Sequence, residues 1–228
     1  MTKEEIQIFK FGGASVKDAD GVRNVGNIIA KNKGKKLVVI VSAMGKSTNA
    51  FEGVVEAYVQ KSGEAESRLE KVKQDHYQIC KELFGEQHAV FTELNDVFVE
   101  ADWVLEEEPH EDYDFVYDQI VSIGELVSSK ILAAYMADLK LPVAWLDARG
   151  LIRTDNRFRE ARVDWDYTMP AIEKQVGGLL NQGVIPVSQG FIGSTSENYT
   201  TTLGREGSDF TAAIFSFCLN ASSMTIWK

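Results

Sequence analysis

Lys10, Gly12 and Gly13 stand together at the end of the segment Ile6–Phe11, whose apolar residues recur at alternate positions. A strand, a Gly-Gly turn and a following helix present backbone N–H groups to an anion. The missing Cβ atoms allow close approach, and the helix N-terminus adds partial positive charge. Lys10 can reach the same anion as a point charge. Such a stretch reads as a phosphate grip or, equally, as a tight turn beside an exposed lysine. Its spacing is neither that of a P-loop nor that of a dinucleotide fingerprint.

A second glycine-rich set is Gly204, Arg205, Gly207, Ser208 and Asp209. The two glycines can supply backbone donors, Arg205 a planar fork for carboxylate or phosphate, and Ser208 an N-cap-like hydroxyl. Asp209 is either a helix-dipole residue or a partner that orients a lysine or a metal. Glu125 lies in Ser122-Ile123-Gly124-Glu125-Leu126, within a helix that is mostly apolar. A carboxylate at a buried helix position needs a partner, which is a protein cation or a ligand ammonium.

These groups require a parallel sheet to bring them to one rim. Leu37-Val38-Val39-Ile40-Val41 is the continuous apolar run of a strand covered on both faces. The strand, ending at Ser42, opens into the small and polar loop Ala43–Asn49 and a helix from about Ala50, repeating the strand, turn, helix order of the first segment. Ligands bind beyond the carboxyl ends of parallel strands, so Ser42 and Thr48 belong to the rim of Gly12 and Gly13. Thr48 is also a candidate helix N-cap. A charged, helical excursion spans about 62–112, divided near Gly85-Glu86-Gln87. A long helix at about Asp114–Leu139 follows, then strands at Val143–Leu146 and Val184–Val187, a helix at about Met169–Asn181 between them, a helix at Phe210–Asn220 and a strand at Met224–Trp227. Leu151–Phe158 is expected to be a β-excursion whose arginines and aspartates form surface ion pairs.

The 228 residues, 44% hydrophobic, suffice for one large α/β core. A formal net charge of −10 argues against a nucleic-acid or anionic-membrane partner, since either needs a basic face. Any anionic substrate must therefore be held by local cations. The first residues carry no signal-peptide hydrophobic stretch, and no apolar run approaches a membrane span, so a cytoplasmic protein is expected. Cys80 and Cys218 read as reduced thiols, and His76, His88 and His110 as surface residues without metal-ligand spacing.

Five motifs in order resemble the aspartokinases of the amino-acid kinase superfamily. They are Lys10-Phe11-Gly12-Gly13-Ala14-Ser15, Val41-Ser42-Ala43 with Thr48-Asn49, Ser122-Ile123-Gly124-Glu125-Leu126, Asp147-Ala148-Arg149, and Leu203-Gly204-Arg205-Glu206-Gly207-Ser208-Asp209. The resemblance implies a three-layer αβα sandwich around a mostly parallel sheet. It implies transfer of the γ-phosphoryl of ATP, with Mg²⁺, to the β-carboxylate of L-aspartate, on the way to lysine, threonine and methionine, by an expected homo-oligomer. It assigns Lys10 and Asp209 to catalysis. Lys10, Phe11, Gly12, Gly13, Gly204, Gly207 and Ser208 go to the nucleotide, and Ser42, Thr48, Glu125 and Arg205 to aspartate. No side chain is assigned to a metal. A sister kinase for glutamate, carbamate or uridylate, or a non-catalytic aspartate-binding module, are the alternatives.

Two residues depart from the family pattern, Ala14 where threonine is usual and Glu206 where a small residue is commoner. The chain also stops at Lys228, where the family continues into adenine- and ribose-holding segments and two ACT domains. An incomplete kinase domain without ACT domains is therefore expected.

Overall fold

The computed structural model describes residues 5–228. Five strands make one sheet: β1 (Ile6–Phe11), β2 (Lys36–Val41), β3 (Val143–Leu146), β4 (Ile185–Gln189) and β7 (Ser223–Trp227). Their order is β3-β4-β2-β1-β7, and every neighbouring pair is parallel, with Lys10 opposite Ile40 and Ile226. All five carboxyl ends therefore reach one rim, where ligands of open parallel sheets bind.

Alternation along the strands separates two apolar layers. Phe9, Phe11, Val39, Val41 and Val187 face a layer that includes α1 (Ala19–Lys31), α2 (Ser47–Val59) and α5 (Tyr113–Asp138). Ile8, Val38 and Ile40 face α6 (Trp165–Asn181) and α7 (Gly207–Cys218). Helices on both faces explain why β2 is buried throughout and reads as an uninterrupted Val/Ile run. The expected three-layer αβα sandwich is what the chain forms.

α5 is the core helix. By length and composition it could cross a membrane, contrary to the reading that no apolar run is long enough. Its apolar surface is instead covered by α1, α2, α4 (Val90–Glu106), β3 and β4. The helical excursion comprises α3 (Ala65–Phe84) and α4, parted at Gly85, whose φ of +76° suits glycine. His76 belongs to this layer and is not the surface residue expected. It is 3% exposed, between Phe51 and Phe98, and bonds Val72 O at 2.8 Å. Burial lowers its pKa, because the imidazolium would be desolvated. His88 is half-buried on Phe84, and His110 is exposed.

A separate antiparallel pair, β5 (Ile192–Ser194) and β6 (Thr200–Thr202), leads into the second glycine loop. The β-excursion expected at Leu151–Phe158 is only two isolated bridges, Arg153 to Ser194 and Thr154 to Val163. Arginines and aspartates there are too closely spaced for a period-2 strand with one buried face.

Candidate active site

The carboxyl ends of β1 and β2, the start of α2, the middle of α5 and the loop Gly204–Asp209 enclose a cleft of about 1150 Å³. Lys10, Gly12, Gly13, Ser42, Thr48, Glu125, Gly204, Arg205, Gly207, Ser208 and Asp209 all line it. Residues nearly two hundred positions apart thus meet in one cavity.

Phe11 is the exception among the expected residues. Its side chain is fully buried and stacks on Trp227 at 4.6 Å, bracing the phosphate turn from behind and not lining the cleft. Phe9 meets the same Trp227 edge-on at 4.7 Å.

The turn after β1 continues directly into a 3₁₀ segment, Gly13–Val16. The N–H of Gly12 donates to Trp227 O at 2.8 Å, so Gly12 does not supply the expected donor. Gly12 supplies room instead, for the close approach of the strand end beside it: a Cβ there would lie 3.2 Å from Trp227 O. The opening N–H groups of the 3₁₀ segment, from Gly13 and Ala14, have no intrahelical acceptor and are the donors an anion would find. Gly13 sits tightly on the loop after β2, where an added Cβ would lie 2.7 Å from Ala43 O and 3.0 Å from Gly45 O. Gly13→Ala is expected to cost about 1–3 kcal/mol of stability through this backbone overlap. It should also weaken ATP binding at least about tenfold, since the turn must shift. Thermal unfolding and titration calorimetry check both, and wild-type values for both would remove this turn from the site.

Lys10 is 6% exposed, and its Nζ lies 2.6 Å from Asp209 Oδ1. Lys228 Nζ approaches the other oxygen at 3.4 Å. Burial alone would raise the Asp209 pKa, but the two ammonium groups outweigh it and hold the carboxyl below its usual range. Asp209 therefore remains ionised and fixes Lys10 at the mouth of the Gly12–Gly13 turn.

Glu125 sits on the floor, 4% exposed, with Oε2 bonded to nothing. Desolvation pushes its pKa up to about 8, against the opposing pull of the Ala43 N–H and the Lys10 charge. Gly124 beside it lets Phe51 and Ala43 pack against α5, where a Cβ would lie 3.1 Å from the Phe51 ring. Of the two partners expected for Glu125, a protein cation in ion-pair contact is not found among the described residues, Lys10 acting on it only as a nearby charge. Ser42 is held by two bonds: its N–H donates to Phe11 O at 3.0 Å, and its carbonyl accepts from Ser128 Oγ at 2.6 Å.

Two capping readings are corrected. α2 begins at Ser47 after Lys46, so Thr48 lies inside the first turn, where it lines the cleft. α7 begins at Gly207 after Glu206, so Ser208 is likewise inside the helix. Glu206 takes φ +56°, a left-handed conformation more usual for glycine. The N–H of Gly207 bonds Gly204 O at 3.0 Å, so Gly207 also contributes room more than a donor. A Cβ on it would lie 2.6 Å from the Phe191 ring.

Arg157, Phe158, Arg159 and Tyr117 also line the cleft; the sequence reading put Arg157 and Phe158 in a β-excursion and Tyr117 in a helix, and did not single out Arg159. Arg159 stacks on Tyr117 at 4.3 Å and pairs with Asp114 at 3.3 Å. The signal that could have found this wall is the Arg157-Phe158-Arg159 run just after a strand-end turn. With Lys10, Arg205 and Lys228 it brings five cations into a cleft that also carries the carboxyl groups of Asp112, Asp114, Glu125, Glu160, Glu206 and Asp209. Among the described residues, no group of three or more His, Cys, Asp or Glu is placed to hold a metal ion.

Comparisons with known proteins agree with this geometry. The profile of the amino acid kinase family matches residues 5–228. Lysine-sensitive aspartokinase 3 of Escherichia coli (strain K12) is 30% identical over 223 residues, covering 98% of this chain and 49% of that protein. An aspartokinase of Chlamydia trachomatis is 32% identical over 222 residues, covering 96% and 48%. The Escherichia coli aspartokinase III structure in complex with aspartate and ADP superposes with a TM-score of 0.88 at 30% identity, over 98% of this chain and 49% of that one. The chain spans about half the length of the curated relatives it matches.

Proposed function

Because the chain belongs to the amino acid kinase family, we propose that its cleft is that of an aspartokinase, which phosphorylates the β-carboxylate of L-aspartate with ATP. The observation that carries this reading is Glu125, a buried carboxylate with an unpartnered oxygen in a cleft that also holds Lys10 beside a glycine turn. A buried carboxyl group of this kind gains a counter-ion and ionises when a substrate ammonium group binds, and so favours such a substrate. A kinase for carbamate or uridylate would have no use for it.

In the proposed reaction, a β-carboxylate oxygen of aspartate attacks the γ-phosphorus. The P–O bond to the β-phosphate breaks, its electron pair leaves on ADP, and 4-phospho-L-aspartate forms. The substrate carboxylate is the nucleophile, so no Ser-His-Asp or Cys-His set is needed. Glu125 would receive the α-ammonium, with Ser42 and Thr48 beside it, and Arg205 would fork onto the α-carboxylate. Lys10, held by Asp209, would neutralise charge developing on the transferring group. The N–H groups of Gly13 and Ala14 would hold the phosphates, while Gly12, Gly204, Gly207 and Ser208 shape the walls that admit them. Mg²⁺ would enter on the nucleotide's own phosphate oxygens.

The test is ADP release with L-aspartate, ATP and Mg²⁺, together with trapping of the acyl phosphate by hydroxylamine. Aspartate-dependent ADP release and hydroxamate formation are expected, with L-glutamate at least about a hundredfold poorer, because one methylene misplaces the attacking carboxylate. Turnover with L-glutamate and not with L-aspartate would move the assignment to the sister kinase. Binding of aspartate without ADP would favour a silent binding module.

A further inference from the structure

Asp118 lies seven residues before Glu125 on α5, about 10 Å along the helix and on the same face. It is 0% exposed, yet among the described residues no cationic side chain forms an ion pair with it. Three donors from two other segments take that place. Arg159 N donates to Oδ2 at 2.9 Å, Thr202 N donates to Oδ2 at 2.8 Å, and Thr202 Oγ1 donates to Oδ1 at 2.7 Å. A buried carboxylate stabilised this way is fixed in position, because displacing it would strand either a charge or three donors.

The two segments it grips are the walls of the cleft. Arg159 has φ +66°, a conformation that a non-glycine residue adopts at a cost, and its anchored N–H offsets that cost. Its carbonyl packs on Gly204, itself at φ +77°, where a Cβ would lie 3.2 Å from Arg159 O. Thr202 is the last residue of β6, immediately before the second glycine loop. Ala161 N donates to Thr202 O at 3.0 Å, and the neighbouring Gln119 exchanges two hydrogen bonds with Thr200, at 2.9 and 3.1 Å. The arginine loop and the glycine loop therefore touch each other and are tied to α5 through one carboxylate.

We propose that Asp118 is a positioning residue that locks the Arg157–Glu160 loop and the Gly204–Asp209 loop into a single wall for carboxylate- and phosphate-bearing substrates. It contacts neither substrate. It acts by fixing where Arg159 and Arg205 present their guanidinium groups relative to Glu125 on the same helix. The substrate class rests on the aspartokinase reading; the locking of the two loops does not.

The test is Asp118→Ala in the full chain. Alanine removes the acceptor of all three donors, whereas asparagine could still offer its oxygen to both N–H groups and its NH₂ to the Thr202 hydroxyl. Native-state hydrogen exchange is expected to speed up about tenfold or more at Arg159, at Thr202 and through 204–209, with Val39 in β2 unchanged. The aspartate Kd, measured well below the unfolding temperature, is expected to rise about tenfold. Thr202→Val, which keeps the carboxylate and removes one donor, should loosen the same amides by less, and Thr202→Ser should restore their protection; this pair decides the question if Asp118→Ala does not fold. Loosening of only one loop would overturn the coupling. Loosening of both loops with the aspartate Kd within about twofold of the parent would leave Asp118 a purely structural residue and overturn its role toward substrate. If the parent itself binds no aspartate while both loops loosen together, the aspartokinase reading falls and the lock stands.

Discussion

Lys10→Met is expected to slow phosphoryl transfer by about 10³-fold while leaving the chain folded. The size follows from where the ammonium sits. Lys10 is almost wholly buried, and Asp209 fixes it at 2.6 Å, beside the glycine turn that would carry the phosphates. A charge held in place before the reaction needs no reorganisation when negative charge shifts, and the surrounding protein screens it less than water would. Methionine keeps most of the side-chain length and removes the charge. Stability should move by only about 1 kcal/mol, because the part-exposed Asp209 keeps Lys228 at 3.4 Å. The measurement is kcat for ADP release alongside thermal unfolding. Wild-type turnover in a folded variant would place the transferring phosphate elsewhere.

Glu125→Gln is expected to weaken aspartate binding about a hundredfold and leave ATP binding within about twofold, since a buried charge-assisted contact to the substrate is lost. The pH behaviour gives a sharper test. Burial pushes Glu125 up to about 8, so without ligand it holds its proton at neutral pH. An ammonium substrate needs the ionised form. Wild-type affinity should therefore rise with pH up to about 8, with a proton released on binding, and the glutamine variant should lose both effects. Calorimetry in buffers of different ionisation enthalpy reads the proton directly.

The stability of the ligand-free protein should respond in the opposite sense. The folded pKa of Glu125 lies above its unfolded value of 4.5, so over this range the folded state binds more protons than the unfolded one. The contribution of Glu125 is fully present below pH 4.5 and is lost as pH rises through about 8. Asp118, raised to about 6 chiefly by burial, adds a smaller loss of the same sign between about pH 4 and 6. Asparagine at 118 or glutamine at 125 should remove the corresponding slope. If Glu125→Gln lowered aspartate and ATP affinity equally and left the pH profile unchanged, Glu125 would be a structural residue.

Much of this site was legible before the fold was known, for reasons that differ by residue. Lys10, Gly13, Glu125 and Asp209 are residue types with few structural uses at their positions. A lysine before paired glycines, a carboxylate inside an apolar helix and an aspartate opening a helix each pose a local chemical question. The Phe11 side chain was misassigned because adjacency in sequence to a site does not fix orientation. It points into the core against Trp227, which follows more than two hundred residues later. The arginine wall was missed because alternating Arg and Asp read alike on a solvated surface and at a cleft rim. His76 was misplaced because its helix is highly charged, and only the packing of α4 and α2 over it buries the ring.

By itself the sequence determined the five strands of the parallel sheet, the order of strand, turn and helix around them, and the identities of the groups able to hold an anion or an ammonium. Those features depend on local periodicity and on glycine and proline chemistry, which act within a few residues. Only the tertiary structure decided which groups share a cavity. It brought Asp209 to Lys10, left Glu125 Oε2 without a partner, and turned Gly12 and Gly207 from donors into clearance. It also joined Arg159 to Thr202 through Asp118. These are contacts between distant segments, set by strand order and by how each helix lies on the sheet, and no local pattern encodes them.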